Sequence, residues 1–202
     1  DRSPSRGLGD VYKRQGLSYR TYGEFADDYK PNIPVLAGHY CTYFTSWDQK
    51  VRDTTRFFQW KRDFDSLLSK NAVPQLNTLR LINDHTEGLR IGRPSPNAHV
   101  ADNDLSVGMF VEYLSKSPIW NESVVFILED DAQDGPDHVD AHRSPAYVAG
   151  GLVKTKFVDH TMYSTTSVLK TISMILGMPP MSQYVAAANS MYKCFQSTPN
   201  NV

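Results

Sequence analysis

Ser123-Val-Val-Phe-Ile-Leu128 runs directly into Glu129-Asp-Asp-Ala-Gln-Asp-Gly-Pro-Asp-His-Val-Asp-Ala-His-Arg143. The first stretch is apolar and rich in β-branched side chains, which reads as a buried strand. The fifteen residues after it hold six carboxylates and two of the chain's six histidines. A strand therefore opens at its C-terminal end into an acidic loop. In open α/β sheets, ligands bind outside the carboxyl ends of strands. Carboxylate oxygens and imidazole nitrogens suit a hard or borderline divalent cation. Acids packed this densely repel one another unless a cation or water lies between them.

Working outward, the strand sits in an alternating series. Asp63 to Lys70 reads as a helix with Phe64, Leu67 and Leu68 on one face, ended by Asn71 and Pro74. Leu76 to Ile82 follows as a short strand whose C-terminal end is Asn83-Asp84-His85-Thr86-Glu87-Gly88. Residues 88–99 read as a loop. Asp102 or Asn103 then caps a helix that runs to about Ser115, and Pro118 stops it. Past the acidic loop, Ala146 to Val148 is a short strand. Ser164 or Thr165 caps an amphipathic helix whose core face is Val168, Leu169, Ile172, Ile175 and Leu176. Gly177 is its C-cap and Pro179-Pro180 the stop. Residues 16–60 are aromatic-rich and broken by Pro and Gly, so they read as loops over a core. Helices alternating with strands predict an α/β sandwich with a largely parallel sheet. That sheet would bring the Asp84-His85 and Asp130-Asp131 strand ends to one edge.

Composition narrows the function classes. The chain has 202 residues, a net charge of −1 and 40% apolar residues. That is enough for one domain with a sizeable core, with no field that would draw nucleic acid or an anionic membrane. No apolar run approaches the roughly 18 residues of a membrane span. Two cysteines, Cys41 and Cys194, do not make a disulfide framework, and buried thiols are the expectation. Residues 1–15 lack apolar periodicity. Asp10-Val-Tyr-Lys-Arg-Gln15 looks like translated adapter read-through from environmental assemblies, the alternative being a flexible natural terminus, so residues 1–15 are expected to lie outside the fold, as are 199–202.

Known loop motifs do not account for the acidic run. With Gly135 at the glycine position of an EF-hand, positions three and twelve would be Ala132 and Ala141. His138 and His142 have the i,i+4 spacing of a zinc helix, but Val139 stands where its glutamate should be and Gly135-Pro136 opposes a helix. A metal site assembled from several strand ends remains, with Asp130, Asp131, His138, His142, Asp84 and His85 as candidates. The competing reading is a non-catalytic surface module that holds structural calcium through residues 129–142. His39, after Gly38, could line the same cleft, although a lone histidine more often packs or caps, and His99 and His160 read as surface or supporting residues. Arg143 could bind an anion or neutralise Asp140. Ser144, Ser164 and Thr165 lack a nucleophile elbow, and no phosphate-binding glycine motif occurs.

Asn83-Asp-His-Thr-Glu-Gly88, Val100-Ala-Asp-Asn-Asp104, Trp120 with its following strand, Glu129 through Pro145, and Tyr163-Ser-Thr-Thr-Ser167 occur in one order. Together they resemble the bacterial phosphoesterase family that also holds acid phosphatases and phospholipases C, within the alkaline phosphatase superfamily. The resemblance covers roughly residues 16–198 and is nearest to a subgroup often fused behind a surface β-propeller. It implies a three-layer, alkaline-phosphatase-like sandwich and a hydrolase of phosphate esters that uses divalent metal (Zn, Ca, Mg or Mn). Asp130 and Asp131 take the place of the family's metal-ligand acids, with His142 and Asp84 as further ligands. His85 and His138 take the place of its active-site histidines. The family's Ser or Thr nucleophile and its first acidic-Asn ligand pair match nothing in this chain. An N-terminally truncated domain, inactive alone, is therefore the expectation, with the upstream part of the same domain, and a β-propeller, as candidate partners. The resemblance also implies a periplasmic or secreted protein. Gly150-Gly151 stands where the family has Ser-Pro, which makes the local loop shape an open question.

Overall fold

In a computed structural model of the chain, the described residues are 16–130 and 142–200. They form a mixed α/β protein with short sheets, divided into one compact unit through Phe110 and another from Val111.

In the first unit, strand β1 (Tyr19–Tyr22) pairs in parallel with β2 (Leu76–Leu79), Tyr19 opposite Leu76. Residues 39–41 join the other side of β1, where Thr21 N donates to His39 O at 2.9 Å and Cys41 N to Thr21 O at 3.0 Å. Helix α1 (Asp53–Leu68) buries Phe57, Trp60 and Phe64, spaced i, i+3, i+7 on one face. Trp60 stacks on Phe64 at 4.8 Å and meets Phe110 at 4.3 Å. Burying each such ring stabilises by about 2–3 kcal/mol, so this stripe dominates the packing of α1. Asp63 lies on the same helix and takes two bonds from Arg20 (2.5 and 2.8 Å) and one from the Tyr22 hydroxyl (2.7 Å). Burial, and then the bond to Asp63, push the Tyr22 phenol far above its ordinary range.

Helix α1 starts ten residues earlier than its own periodicity predicts. Arg52, at the N-cap, makes no side-chain cap. The cap comes from Asp102 instead: Asp53 N donates to its Oδ2 at 2.6 Å and Thr54 Oγ1 to its Oδ1 at 2.9 Å. A cap supplied 49 residues away leaves no local signal. Helix α2 (Pro96–Ser115) also starts earlier than expected. Ser95 precedes it, with Ala98 N donating to Ser95 Oγ at 3.3 Å and His99 N to Ser95 O at 3.0 Å. Pro96 at the first helical position needs no partner for a missing N–H. Asp102 and Asn103 lie inside α2 and serve other elements.

In the second unit, β3 (Val124–Leu128) and β4 (Ala146–Gly150) are antiparallel, Leu128 opposite Ala146 and Val124 opposite Gly150. The acidic run thus joins two strands of one hairpin rather than leading to a parallel crossover. The single largely parallel sheet expected from element order is not what the described strands form. They make two two-stranded ladders, one parallel and one antiparallel. Residues as apolar as Val124–Leu128 suit a strand of either pairing, so the order of elements alone did not distinguish them.

Gly150 and Gly151 have a steric reason. A Cβ on Gly150 would run into Ser123 O, and one on Gly151 would lie 2.6 Å from Asn121 Cα and 3.0 Å from Trp120 O. The end of β4 therefore presses backbone against backbone on residues 120–124. Helix α3 (Thr165–Ile175) packs Val168 and Ile172 against Met191, Cys194, Phe126 and Val148. Ser164 N bonds Ser167 Oγ at 3.1 Å at its start, and Gly177, at φ +66°, closes it as the sequence predicts. Its buried face differs from the expected one: Ser167 and Thr171 are buried while Ile175 is 50% exposed. Short helix α4 (Gln183–Ala187) follows, capped by Ser182, whose side chain accepts from Val185 N. Cys41 and Cys194 are both buried free thiols.

Candidate active site

The most fully built polar feature of the first unit is a buried ion pair. Arg56 and Asp53 are both 0% exposed, with Arg56 Nη1 2.9 Å from Asp53 Oδ1. Arg56 spends its remaining N–H groups on four backbone carbonyls of the preceding loop: Thr45, Ser46, Asp48 and Val51, at 2.7–2.8 Å. Burial pulls its pKa below the ordinary guanidinium range, and Asp53 opposes that pull. Asp53 in turn accepts Ile82 N at 3.2 Å and Asn83 N at 2.8 Å. One ion pair therefore fixes both the 45–51 loop and the single-turn 3-10 helix Asn83–His85.

Helix α2 completes the seat. Asn103 Nδ2 donates to Asp53 Oδ2 at 2.9 Å and reaches Asp84 Oδ1 at 3.3 Å. Asn83 Nδ2 donates to Asp102 Oδ2 at 3.0 Å, and the Ser106 hydroxyl donates to Asp53 O at 2.8 Å. Asn83 is buried, while Asp84 and His85 stand exposed on the same turn. Hydrophobic contact is not what places them there; a network of paired charges and amides is.

His85 lies in a defined surround. Trp47 meets it edge-on at 5.0 Å, and the Arg80 guanidinium lies 4.8 Å over the Trp47 ring. His85 Nδ1 is 3.2 Å from Thr86 O and 3.3 Å from Gln49 Nε2, which itself donates to Thr86 O at 2.6 Å. Glu87 is drawn away from the turn's face by Arg90 and Arg93, each at 3.0 Å.

In the second unit, Asp130 and His142 flank the stretch 131–141 and are both exposed. The run is pinched at its base, where Glu129 N donates to Pro145 O at 3.4 Å and Ser144 Oγ to Glu129 O at 3.1 Å. Asp131 and His138 lie outside the described residues, as does Asp140, the acid that Arg143 was expected to neutralise. Asp84 and His85 are thus adjacent on one rigid turn, and Asp130 and His142 sit at the two ends of one hairpin connection. Among the described residues, no three His, Cys, Asp or Glu side chains gather as a metal would require.

The other histidines sort differently from one another. His39 stacks on Tyr19 at 4.2 Å with Nδ1 3.2 Å from Tyr19 O, the packing alternative of its two readings. His99, read as a surface or supporting residue, is not at the surface: it is 2% exposed, and neither ring nitrogen has a hydrogen-bond partner among the described residues. It falls on the inner side of α2 once that helix starts at Pro96. Sequence reasoning missed Asp53, Arg56, Gln49 and Thr86. An i,i+3 Asp-Arg pair ordinarily reads as solvated. The signal that could have found this one is its place on the stripe of Phe57 and Trp60.

The described residues make a mixed α/β protein that presents Asp84 and His85 on one turn, and Asp130 and His142 at the two ends of the β3–β4 connection. Within the α/β class the assignment is specific. The family model of the phosphoesterase family matches residues 2–179, and the chain belongs to that family. No curated protein matches it. Membership points to phosphate-ester hydrolysis.

Proposed function

We propose that this chain serves a metal-dependent hydrolase of phosphate esters, with Asp84, Asp130, Asp131 and His142 as metal ligands and His85 and His138 as active-site histidines. The observation that carries the reading is the Asp84-His85 turn, held outward by the buried Asp53-Arg56 pair within a chain of the phosphoesterase family. Donor chemistry fits a divalent cation: carboxylate and imidazole, with the neighbouring Glu87 already neutralised. The described residues alone supply an incomplete ligand set, and Asp131 and His138 are the residues expected to extend it. A bound metal would polarise the phosphoryl oxygens and lower the pKa of a nucleophile. The chain's own share is to hold His85 at a fixed orientation and to present the acids. In this reading Ser144, Ser164 and Thr165 are not the nucleophile, and the isolated chain is expected to bind cation without appreciable turnover. The same reading takes the protein to be periplasmic or secreted.

Calorimetric titration with Zn(II) and Mn(II) tests this. Asp84→Ala and Asp131→Ala should each weaken binding by about tenfold or more. If only Asp131→Ala matters, the acidic hairpin is a self-contained cation loop and the Asp84-His85 assignment fails. Hydrolysis of p-nitrophenyl phosphate that is abolished by Asp131→Ala would show that the nucleophile lies in this chain after all.

A further inference from the structure

We propose that the Thr86 carbonyl, held by Gln49, locks His85 as its Nδ1–H tautomer and leaves Nε2 as the working nitrogen with its lone pair. This deepens the reading above, which says that His85 acts but not through which atom.

Two donors converge on one oxygen. Gln49 Nε2 donates to Thr86 O at 2.6 Å, and His85 Nδ1 lies 3.2 Å from the same oxygen. A carbonyl has two lone pairs and accepts both. The alternative is a bond from Gln49 Nε2 to an unprotonated Nδ1 at 3.3 Å. That would set the Nδ1 lone pair against the Thr86 oxygen, so the carbonyl decides for Nδ1–H.

The carbonyl points there because of an unusual backbone. Thr86 has φ 57° and ψ 177°, a region that suits glycine and disfavours a β-branched residue. Its neighbours hold it in place. Thr86 N donates to Asn83 O at 3.1 Å, and Gly88 N donates to Thr86 Oγ1 at 3.3 Å. Gln49 is equally constrained, since Arg56 bonds the carbonyls of Asp48 and Val51 on either side of it, both at 2.7 Å. The Trp47 edge fixes the ring plane. Gln49 and Thr86 are positioning residues in this account. A hydrogen bond from one imidazole nitrogen to a carbonyl sets the tautomer and sharpens the other nitrogen as a ligand or base.

Long-range proton–nitrogen NMR of the neutral imidazoles reads the tautomer directly, with His85→Ala identifying the His85 signals. The expected result is Nδ1–H in the unaltered protein and a shift toward Nε2–H in Gln49→Leu, which releases the carbonyl. Thr86→Gly is the control: glycine keeps the carbonyl and suits this backbone, so it should retain Nδ1–H and leave the melting temperature unchanged or raise it. A melting temperature close to that of the unaltered protein in Gln49→Leu separates its shift from general damage. Nε2–H in the unaltered protein, or Nδ1–H undisturbed in Gln49→Leu, overturns the proposal. If Nδ1–H holds and shifts in Gln49→Leu while Zn(II) fails to bind any form, the tautomer assignment stands and the metal reading falls.

Discussion

The two units carry candidate site residues on supports of different physical kinds. In the first, the Asp84-His85 turn rests on the buried Asp53-Arg56 pair and on amide donors from α2. In the second, Asp130 and His142 flank a hairpin connection whose strand β4 is seated by bare backbone contact at Gly150 and Gly151. The first support is electrostatic: strong while complete and costly when broken. The second is steric and tolerates no added atoms. A buried ion pair is weak evidence of net stabilisation, because desolvation offsets most of the Coulomb gain. Its role here is to specify one arrangement of loop and turn.

The largest expected effect breaks the first support. Arg56→Met should destabilise by about 3–5 kcal/mol, because it leaves a buried carboxylate unpaired and strands four carbonyls. Urea unfolding measures it. The half-exposed pair Lys61–Asp65, 2.6 Å apart on the same helix, is the control. Lys61→Met should cost no more than about 0.5 kcal/mol. Equal losses in the two variants would mean that burial of the Arg56 pair does not matter.

The second support breaks next. Gly150→Ala and Gly151→Ala should each cost about 1–3 kcal/mol, since each methyl meets backbone, joined at Gly151 by the Asn121 side-chain oxygen. Wild-type stability in either variant would show that β4 can shift away from residues 120–124 at no cost.

What could be read in advance follows the same division. Helix α3 was legible because its N-cap serine, its apolar spacing and Gly177 are all local. Strand β3 was legible as an apolar run and β2 and β4 as short strands, but their pairing was not, since a strand's own residues carry no record of its partner. Strand β1 was hidden because Tyr19–Tyr22 lies in aromatic-rich sequence that reads as loop. Asp84 and His85 stood out as residue types at a strand end. The groups that hold them did not: Asp102 caps a helix 49 residues away, and Asp53 receives amides 29 and 30 residues on. Charges buried by tertiary packing look, in sequence, like charges on a surface.

The smallest expected effect tests whether the second unit holds any electrostatic device comparable to the first. Asp159 accepts Thr161 N at 2.9 Å and the Tyr163 hydroxyl at 2.8 Å. Hydrogen bonds from the Thr161 side chain and backbone, then that of Tyr163, lower its pKa from the ordinary 3.8 to about 2. Burial first, and then the bond to Asp159, push Tyr163 up to about 12. The signs are opposite and both favour the folded state near neutrality. The Asp159 contribution is complete above the unfolded carboxylate's 3.8 and is lost as pH falls through about 2. The Tyr163 contribution is complete below the unfolded phenol's 10.0 and is lost as pH rises through about 12. Carboxyl NMR titration and phenolate absorbance read the two limbs separately. Thr161→Val should raise the Asp159 midpoint more than Tyr163→Phe does, because Thr161 is the larger cause. Solvent screens this group, so neither variant should approach the loss expected at Arg56. A comparable loss would mean that surface hydrogen bonds, and not burial, set the stability of the second unit.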